Sequence, residues 1–264
     1  MDIKKLLHTA IVASVKAGEE ILKVYNSAFD VEHKADNSPL TVADKNAHEI
    51  ICSILKETQL PVLSEEGKLI EYSERKNWKY FWMVDPLDGT KEFVKRNGEF
   101  TVNIALINEQ KSILGVIYIP VGGELYFAAQ DLGSYKINVA NFKSFDLDAL
   151  IALAEKLPIE NKKQKFTVVA SRSHLSEETE MFIDGLKTIH KELDFISSGS
   201  SIKLCLVAEG SANVYPRFAP TMEWDTAAGQ AICEQAGKSV VDYTTNKMLL
   251  YNKENLLNNW FVVQ

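Results

Sequence analysis

Apolar residues recur at helical spacing in the opening stretch of the chain. In MDIKKLLHTAIVASVKAGEEILKVY they fall at Ile3, Leu7, Ala10, Ser14, Ala17, Ile21 and Val24, with charges between them. That pattern predicts an amphipathic helix rather than a signal peptide. A second helix is predicted over residues 41–58, with Ala47, Ile50, Ile51, Ile54 and Leu55 on one face and Thr41 and Asp44 as a capping pair. The pattern then shortens. Residues 60–63 read as a strand running into Ser64-Glu65-Glu66-Gly67. The run Tyr80-Phe81-Trp82-Met83-Val84 stops abruptly at Asp85-Pro86-Leu87-Asp88-Gly89-Thr90. An apolar run that ends in turn residues reads as a buried strand leaving the core.

Short β-rich runs at 100–107, 112–118, 124–129 and 134–139 follow, separated by turn residues, and predict an antiparallel meander. Strands at 166–170, 195–197, 212–215 and 239–243 then alternate with helices at 176–191, 201–209 and 225–236, which predicts a layered α/β unit. The polar stretch 140–164 is the expected boundary. The reading is an α+β chain of two halves, residues 1–140 and 141–264, with the active site between them.

Composition narrows the class. The chain has 264 residues, 46% hydrophobic and 25% charged, with a formal net charge of −7. This is the mix of a globular protein, with no apolar stretch near the roughly 20 residues that span a bilayer. Cys52, Cys205 and Cys233 lie in apolar helical patterns and read as core residues of a reducing compartment, so a cytoplasmic location is expected. The acidic balance argues against nucleic acid as a partner. If the ligand is an anion, a bound cation has to reverse the local field.

Carboxylates collect where elements start or stop: Asp44, Glu65 and Glu66, Asp85 and Asp88, and Asp225 in EWDTAAGQAI. Singly, each fits a cap or a solvated turn, and Asp225 is a natural N-cap. Asp85 and Asp88 differ, because the strand before them is so apolar. Hard cations such as Mg²⁺ take carboxylate, carbonyl and water oxygens, and carboxylates from several element ends can build such a site. A helix starting at Thr90, behind Gly89, would turn free N–H groups toward an anion. Metals beside a helix start form a phosphate site.

DPLDGT followed far downstream by WDTAAG resembles the inositol monophosphatase superfamily of Mg²⁺-dependent, lithium-sensitive phosphatases. SPLTVADKNA, LSEEG, WMVDPLDGTKEF, ASRSH and GSSIKLCLVAEGSANVYPRFAPTMEWDTAAG extend the likeness over nearly the whole chain, toward the bacterial 3'(2'),5'-bisphosphate nucleotidase branch. The resemblance implies a layered αβαβα sugar-phosphatase-like fold. It implies hydrolysis of adenosine 3',5'-bisphosphate (PAP), and of its sulfated relative PAPS, to clear a by-product of sulfate activation. It implies two or three Mg²⁺ ions, inhibition by Li⁺, and a small nucleotide bisphosphate as partner, with no transmembrane segment. Loose association with the inner face of the membrane stays open.

Position by position, the resemblance assigns Glu65, Asp85, Asp88 and Asp225 as metal ligands, with Leu87 contributing its backbone carbonyl. Gly89 and Thr90 would hold the scissile phosphate. A carboxylate, Asp44 or Glu65, would orient the attacking water together with Thr90. The substrate-binding set implied is Glu65, Leu87, Asp88, Gly89, Thr90, His174, Ser200, Lys203, Arg217 and Asp225. In that set His174 faces adenine or ribose, Ser200 supplies a hydroxyl, and Lys203 and Arg217 meet the second phosphate. Glu66 is either a supporting residue or a solvated turn carboxylate. One departure is visible: many members carry a Gly-Gly pair where Gly237 is followed here by Lys238. Two other readings stay open, an inositol or sugar phosphatase on the same metal core and a non-catalytic sensor of PAP or metal.

Overall fold

The computed structural model describes every residue except 29, 34–38, 143–144, 160–164 and 172–175. Helix α1 (Ile3–Tyr25) is followed by the paired strands β1 (Val31–His33) and β2 (Pro39–Thr41) and by α2 (Val42–Leu55). Then come β3 (Val62–Ser64), α3 (Tyr72–Arg75), β4 (Tyr80–Asp88), α4 (Thr90–Val94), β5 (Thr101–Asn108), β6 (Lys111–Ile119), β7 (Glu124–Ala129), β8 (Gly133–Asn138), α5 (Leu147–Leu153) and β9 (Glu155–Lys156). The remainder is β10 (Phe166–Ser171), α6 (Glu177–Ile189), β11 (Leu193–Ser198), α7 (Ile202–Ala208), β12 (Tyr215–Arg217), α8 (Glu223–Gln235), β13 (Val240–Asp242) and β14 (Phe261–Val263).

Strands β3 to β9 form one seven-stranded sheet in sequence order, antiparallel except where β3 runs parallel to β4. Both faces of its centre are covered, which is why the β4 and β5 sequences are apolar almost throughout. Side-chain alternation sorts them. Trp82, Val84, Val102, Ile104 and Leu106 pack in one core with Leu7, Ile11 and Ile21 of α1 and Ile51 of α2. Phe81, Met83, Ala105 and Ile107 pack in another with Leu204 and Val207 of α7 and Ala227, Ala228 and Ile232 of α8. Helix α8 lies so close that a Cβ on Gly115 of β6 would sit 2.1 Å from the Ala228 carbonyl. A smaller third core joins Val168, Ile183, Val214, Phe218 and Val262, from the strands beyond α7 and α8 and from α6. The layers are therefore helix, sheet, helix, sheet, helix.

Several expectations shift at their edges. The second helix ends at Leu55 and tightens into a 3₁₀ turn over Lys56–Thr58. The strand expected at 212–215 is Tyr215–Arg217; Val214 instead makes a single bridge to Val168. The stretch 140–164 is not wholly irregular. Leu147 and Leu150 of α5 bury into the first core, and β9 adds an edge to the sheet past residue 140. The capping pair on α2 is present, with Thr41 Oγ1 accepting from the Ala43 N–H and Asp44 Oδ2 from the Thr41 N–H. Asp225 is not an N-cap. Helix α8 starts a turn earlier with Met222 as its cap, and Asp225 reaches back to accept from the Met222 N–H at 2.8 Å. The earlier start is possible because the fully buried Glu223 has partners: the N–H groups of Asn252 and Lys253 and the Lys253 ammonium, at 2.5, 3.0 and 2.6 Å.

Candidate active site

Strand β4 builds the centre. Asp85 shares a face with Phe81 and Met83, so alternation turns it toward α8. Asp88 lies an odd number of positions further and on a regular strand would face the opposite core. A register shift between the two prevents this: Asp85 pairs with Asn103 and Asp88 with Thr101, leaving an extra residue on β4. Such a bulge re-aims one side chain. Leu87 stays buried in the α1/α2 core, while its N–H donates to Asp85 Oδ1 at 3.0 Å. The parallel pairing of β3 with β4 brings the chain after Ser64 alongside, and the Glu65 N–H donates to the Val84 carbonyl at 3.1 Å. Helix α8 supplies Asp225 from above.

The result is three carboxylates, Asp85, Asp88 and Asp225, with an oxygen on each lying within 4.8 Å of the others. Burial, together with the neighbouring Glu65, Asp88 and Asp225, pushes Asp85 well above the usual carboxylate range, and Glu65 is also hydrogen-bonded to it. Burial, Asp88 and Glu65 push Asp225 up in the same way. Burial raises Asp88 too, opposed by Lys203, the Ser201 backbone and Asn103. Oxygen donors alone, crowded and mutually repelling, fit a hard divalent cation. Glu65 belongs to this group by contact, and the Leu87 carbonyl lies at the same strand end.

Asp44 stands beside the cluster with a different set of partners. Its Oδ2 accepts from the Thr41 N–H at 2.8 Å and the Thr41 hydroxyl at 2.7 Å, and its Oδ1 from the Thr90 hydroxyl at 3.1 Å. Burial lifts its pKa to about 6, against those hydrogen bonds. Glu66 adds to the rise by its charge, so it lies near enough to be felt. Gly89 caps α4 at φ 94°, a left-handed conformation in which a side chain would be strained, and a Cβ there would approach the Glu99 carbonyl and Ser200.

The basic side has moved closer to the centre than its sequence position suggests. Lys203, buried on α7, donates to the carbonyls of Ser198 at 3.3 Å and Ser200 at 2.5 Å. Burial pulls its pKa down to about 8, against the pull of Asp88. Arg217 donates from Nη2 to the Pro220 carbonyl at 2.9 Å. The Arg217 Nε and the Ser200 hydroxyl are buried polar atoms without a hydrogen-bond partner among the described residues. His174 lies outside the described residues.

Three features escaped the sequence reading. Asn103 and Thr101 are polar interruptions of the apolar β5 run, and that interruption was the available signal. Ser201 closes a triad with them across the two halves of the chain. The third is a tie behind Asp225. Arg75, buried just beyond the Glu65 loop, donates to Asn252 Oδ1 and to the carbonyls of Lys253 and Glu254, and Asn252 and Lys253 in turn hold Glu223. The cysteines are free; Cys205 and Cys233 are buried and Cys52 half-buried. Among the described residues, no helix is long and apolar enough to cross a membrane.

The sequence profile of the inositol monophosphatase family matches residues 2–262. The 3'(2'),5'-bisphosphate nucleotidase CysQ of Escherichia coli K12 is 42% identical over 251 residues, covering 94% of each chain. The protein of the same name from Haemophilus influenzae is 32% identical, covering 98% of this chain and 92% of that one. The crystal structure of CysQ from Bacteroides thetaiotaomicron, at 52% identity, superposes with a TM-score of 0.92 over 100% of this chain and 98% of that one. An inositol monophosphatase from Anabaena shares the fold at 23% identity and a TM-score of 0.72.

Proposed function

The chain belongs to the inositol monophosphatase family, and from that premise we propose that it is a Mg²⁺-dependent 3'(2'),5'-bisphosphate nucleotidase that hydrolyses PAP to AMP and phosphate. The observation that carries the chemistry is the placing of three carboxylates, with oxygens within 4.8 Å of one another, beside the Thr90–Asp44 hydrogen bond. Full-length likeness to proteins named for the bisphosphate supports the substrate.

Asp85, Asp88, Asp225, Glu65 and the Leu87 carbonyl would hold the ions. Mg²⁺, when bound, supplies positive charge to the phosphoryl oxygens and lowers the pKa of water. The chain's own residues then divide the remaining work. Thr90 donates a hydrogen bond to Asp44 Oδ1, so its oxygen lone pairs face the incoming water and accept a hydrogen bond from it. As the water loses a proton to the Thr90 oxygen, the Thr90 hydroxyl proton passes to Asp44 Oδ1, since Oδ2 is occupied by Thr41. A pKa of about 6 poises it for that near neutrality. Water attacks phosphorus, the bond to the 3' oxygen breaks, and that oxygen takes a proton from solvent.

The phosphate not cleaved is the handle that separates this substrate from a monophosphate. Arg217 Nε and the Ser200 hydroxyl, buried donors in need of an acceptor, suit it. Lithium should inhibit by taking one of the magnesium positions. The deciding experiment measures phosphate release from PAP, inositol 1-phosphate and fructose 1,6-bisphosphate at one Mg²⁺ concentration. Preference for PAP is expected; equal or greater turnover of the other two would overturn the substrate assignment while leaving the phosphatase.

A further inference from the structure

We infer that Asn258 is a positioning residue for Asp225: it fixes the two peptide groups on either side of Met222, and one of them sets the orientation of the Asp225 carboxylate. The inference rests on the metal role proposed for Asp225.

The need arises at the start of α8. Asp225 is the third residue of the helix, and its Oδ2 accepts from the Met222 N–H at 2.8 Å. The rotation of the carboxylate therefore follows the direction of that N–H. Methionine has no side-chain oxygen, so Met222 cannot cap the helix as a serine or aspartate would. Backbone groups at a helix start must then find partners elsewhere. They find them in the segment just before β14. The Glu223 N–H donates to the Leu256 carbonyl at 2.9 Å, and Met222 forms an antiparallel bridge with Leu257.

Asn258 holds both sides of Met222. Its own N–H donates to the Thr221 carbonyl at 2.8 Å. That carbonyl and the Met222 N–H belong to one planar peptide group, so a single rigid unit carries the contact from Asn258 to Asp225. The side chain of Asn258 holds the next peptide. Its Nδ2 donates to the Met222 carbonyl at 2.8 Å and to the Thr226 hydroxyl at 3.0 Å. The Met222 carbonyl also accepts from the Asp225 N–H, at a longer 3.2 Å. The direction of the amide is settled by its other end: Oδ1 faces the Lys253 ammonium at 3.4 Å, and a flip would set that oxygen against the Met222 carbonyl. Asn258 is buried, so water competes little for these bonds. Without the amide, the peptide after Met222 loses its shorter bond and can rotate, and the N–H that aims Asp225 moves with it.

The test is calorimetric Mg²⁺ binding to the metal-stripped protein, with kcat measured separately at saturating Mg²⁺. Asn258→Ala removes the side-chain bonds and keeps the backbone one. Its Mg²⁺ dissociation constant should rise about 10-fold, the low end of the range for losing an outer partner of a ligand, since the amide acts through a peptide. Its kcat at saturation should change less. Asn258→Asp is isosteric and keeps an oxygen toward Lys253, so it serves if the alanine variant fails to fold. It turns a donor into an acceptor beside the Met222 carbonyl and should weaken Mg²⁺ binding at least as much. Asn259→Ala is the control. It breaks the bond from the next residue of the same segment to Asp242 of β13, and Mg²⁺ affinity should stay near wild type. A merely structural role for Asn258 would lower the melting temperature and leave Mg²⁺ affinity alone. The inference is overturned if both Asn258 variants bind Mg²⁺ like wild type while Asp225→Asn does not, or if Asn259→Ala weakens binding as much as Asn258→Ala. If Asp225→Asn also binds like wild type, the metal reading itself falls, and the role of Asn258 with it.

Discussion

The Thr90 hydroxyl donates to Asp44 Oδ1 at 3.1 Å, joining the start of α4 to the first turn of α2. The other oxygen of Asp44 is fully engaged by Thr41. The Thr90 hydroxyl also lies 3.4 Å from the Leu87 carbonyl, and its shorter contact is the one to Asp44. Thr90→Val should lower kcat by about 10²- to 10⁴-fold, the usual worth of a positioned proton acceptor, with Mg²⁺ affinity within a few-fold of wild type. Thr90→Ser should recover most of the rate. A Val variant with near-normal kcat would remove Thr90 from the chemistry.

Asp85→Asn should reduce turnover on every substrate to background, because the most buried ligand of the cluster loses its charge. The same change should raise the melting temperature of the metal-stripped protein by a few degrees, since it relieves repulsion from Glu65, Asp88 and Asp225. Thermal melts in chelator and in Mg²⁺ separate the two effects. A variant that is both inactive and less stable without metal would argue that Asp85 holds the fold and not an ion.

Metal binding should depend on pH with a definite sign. Asp44, Asp85 and Asp225 all have folded pKa values raised above the unfolded ones. Their contribution to the stability of the metal-free protein is fully present below the unfolded carboxylate value of roughly 4 and is lost as pH rises. For Asp44 that window closes near pH 6. Mg²⁺ displaces the protons held on the ligands. The rise in melting temperature on adding Mg²⁺ should therefore be greater at pH 8 than at pH 5.5, and calorimetry in buffers of different ionisation heat should show proton release. An increment independent of pH would contradict this.

Lys203 and Arg217 should not behave alike. Arg217→Ala should lower kcat/KM for PAP by about 10- to 100-fold, the worth of one charge-assisted hydrogen bond, and leave inositol 1-phosphate turnover nearly unchanged. Lys203 spends two of its donors on the carbonyls of Ser198 and Ser200, and Ser200 packs against Gly89. Lys203→Ala should therefore cost activity on both substrates. Equal behaviour of the two variants on the monophosphate would show that Arg217, too, supports the common site.

The clustering of Asp85, Asp88 and Asp225 was legible because they sit where apolar runs break, and a motif fixes their spacing. The α1 stripe was legible for the same kind of reason: Leu7, Ala10, Ala17 and Ile21 are fully buried as their period required. The extra residue on β4 was not legible, since strand alternation alone puts Asp85 and Asp88 on opposite faces. Asn103 was missed because a lone amide in an apolar strand says nothing until its neighbours across the ladder are known. Lys203 was expected to meet the second phosphate; the structure instead shows it buried on α7 and donating to the Ser198 and Ser200 carbonyls, from a turn whose path only the fold reveals. Asp225 was expected to cap α8; the partners that let Glu223 begin the helix arrive from residues far downstream.

Those downstream partners bear on when the site can exist. Among the described residues, Arg75 and Glu223 are tied to each other through Asn252 and Lys253. On a translating ribosome the β4 carboxylates emerge early, and Asp225 follows much later without its anchor. Until the 250s clear the exit tunnel, a nascent chain therefore presents the acidic residues without the completed cradle. It should be unable to capture Mg²⁺ tightly, and a ribosome-stalled chain ending shortly before Asn252 would remain sensitive to protease where the full-length chain is protected by the ion.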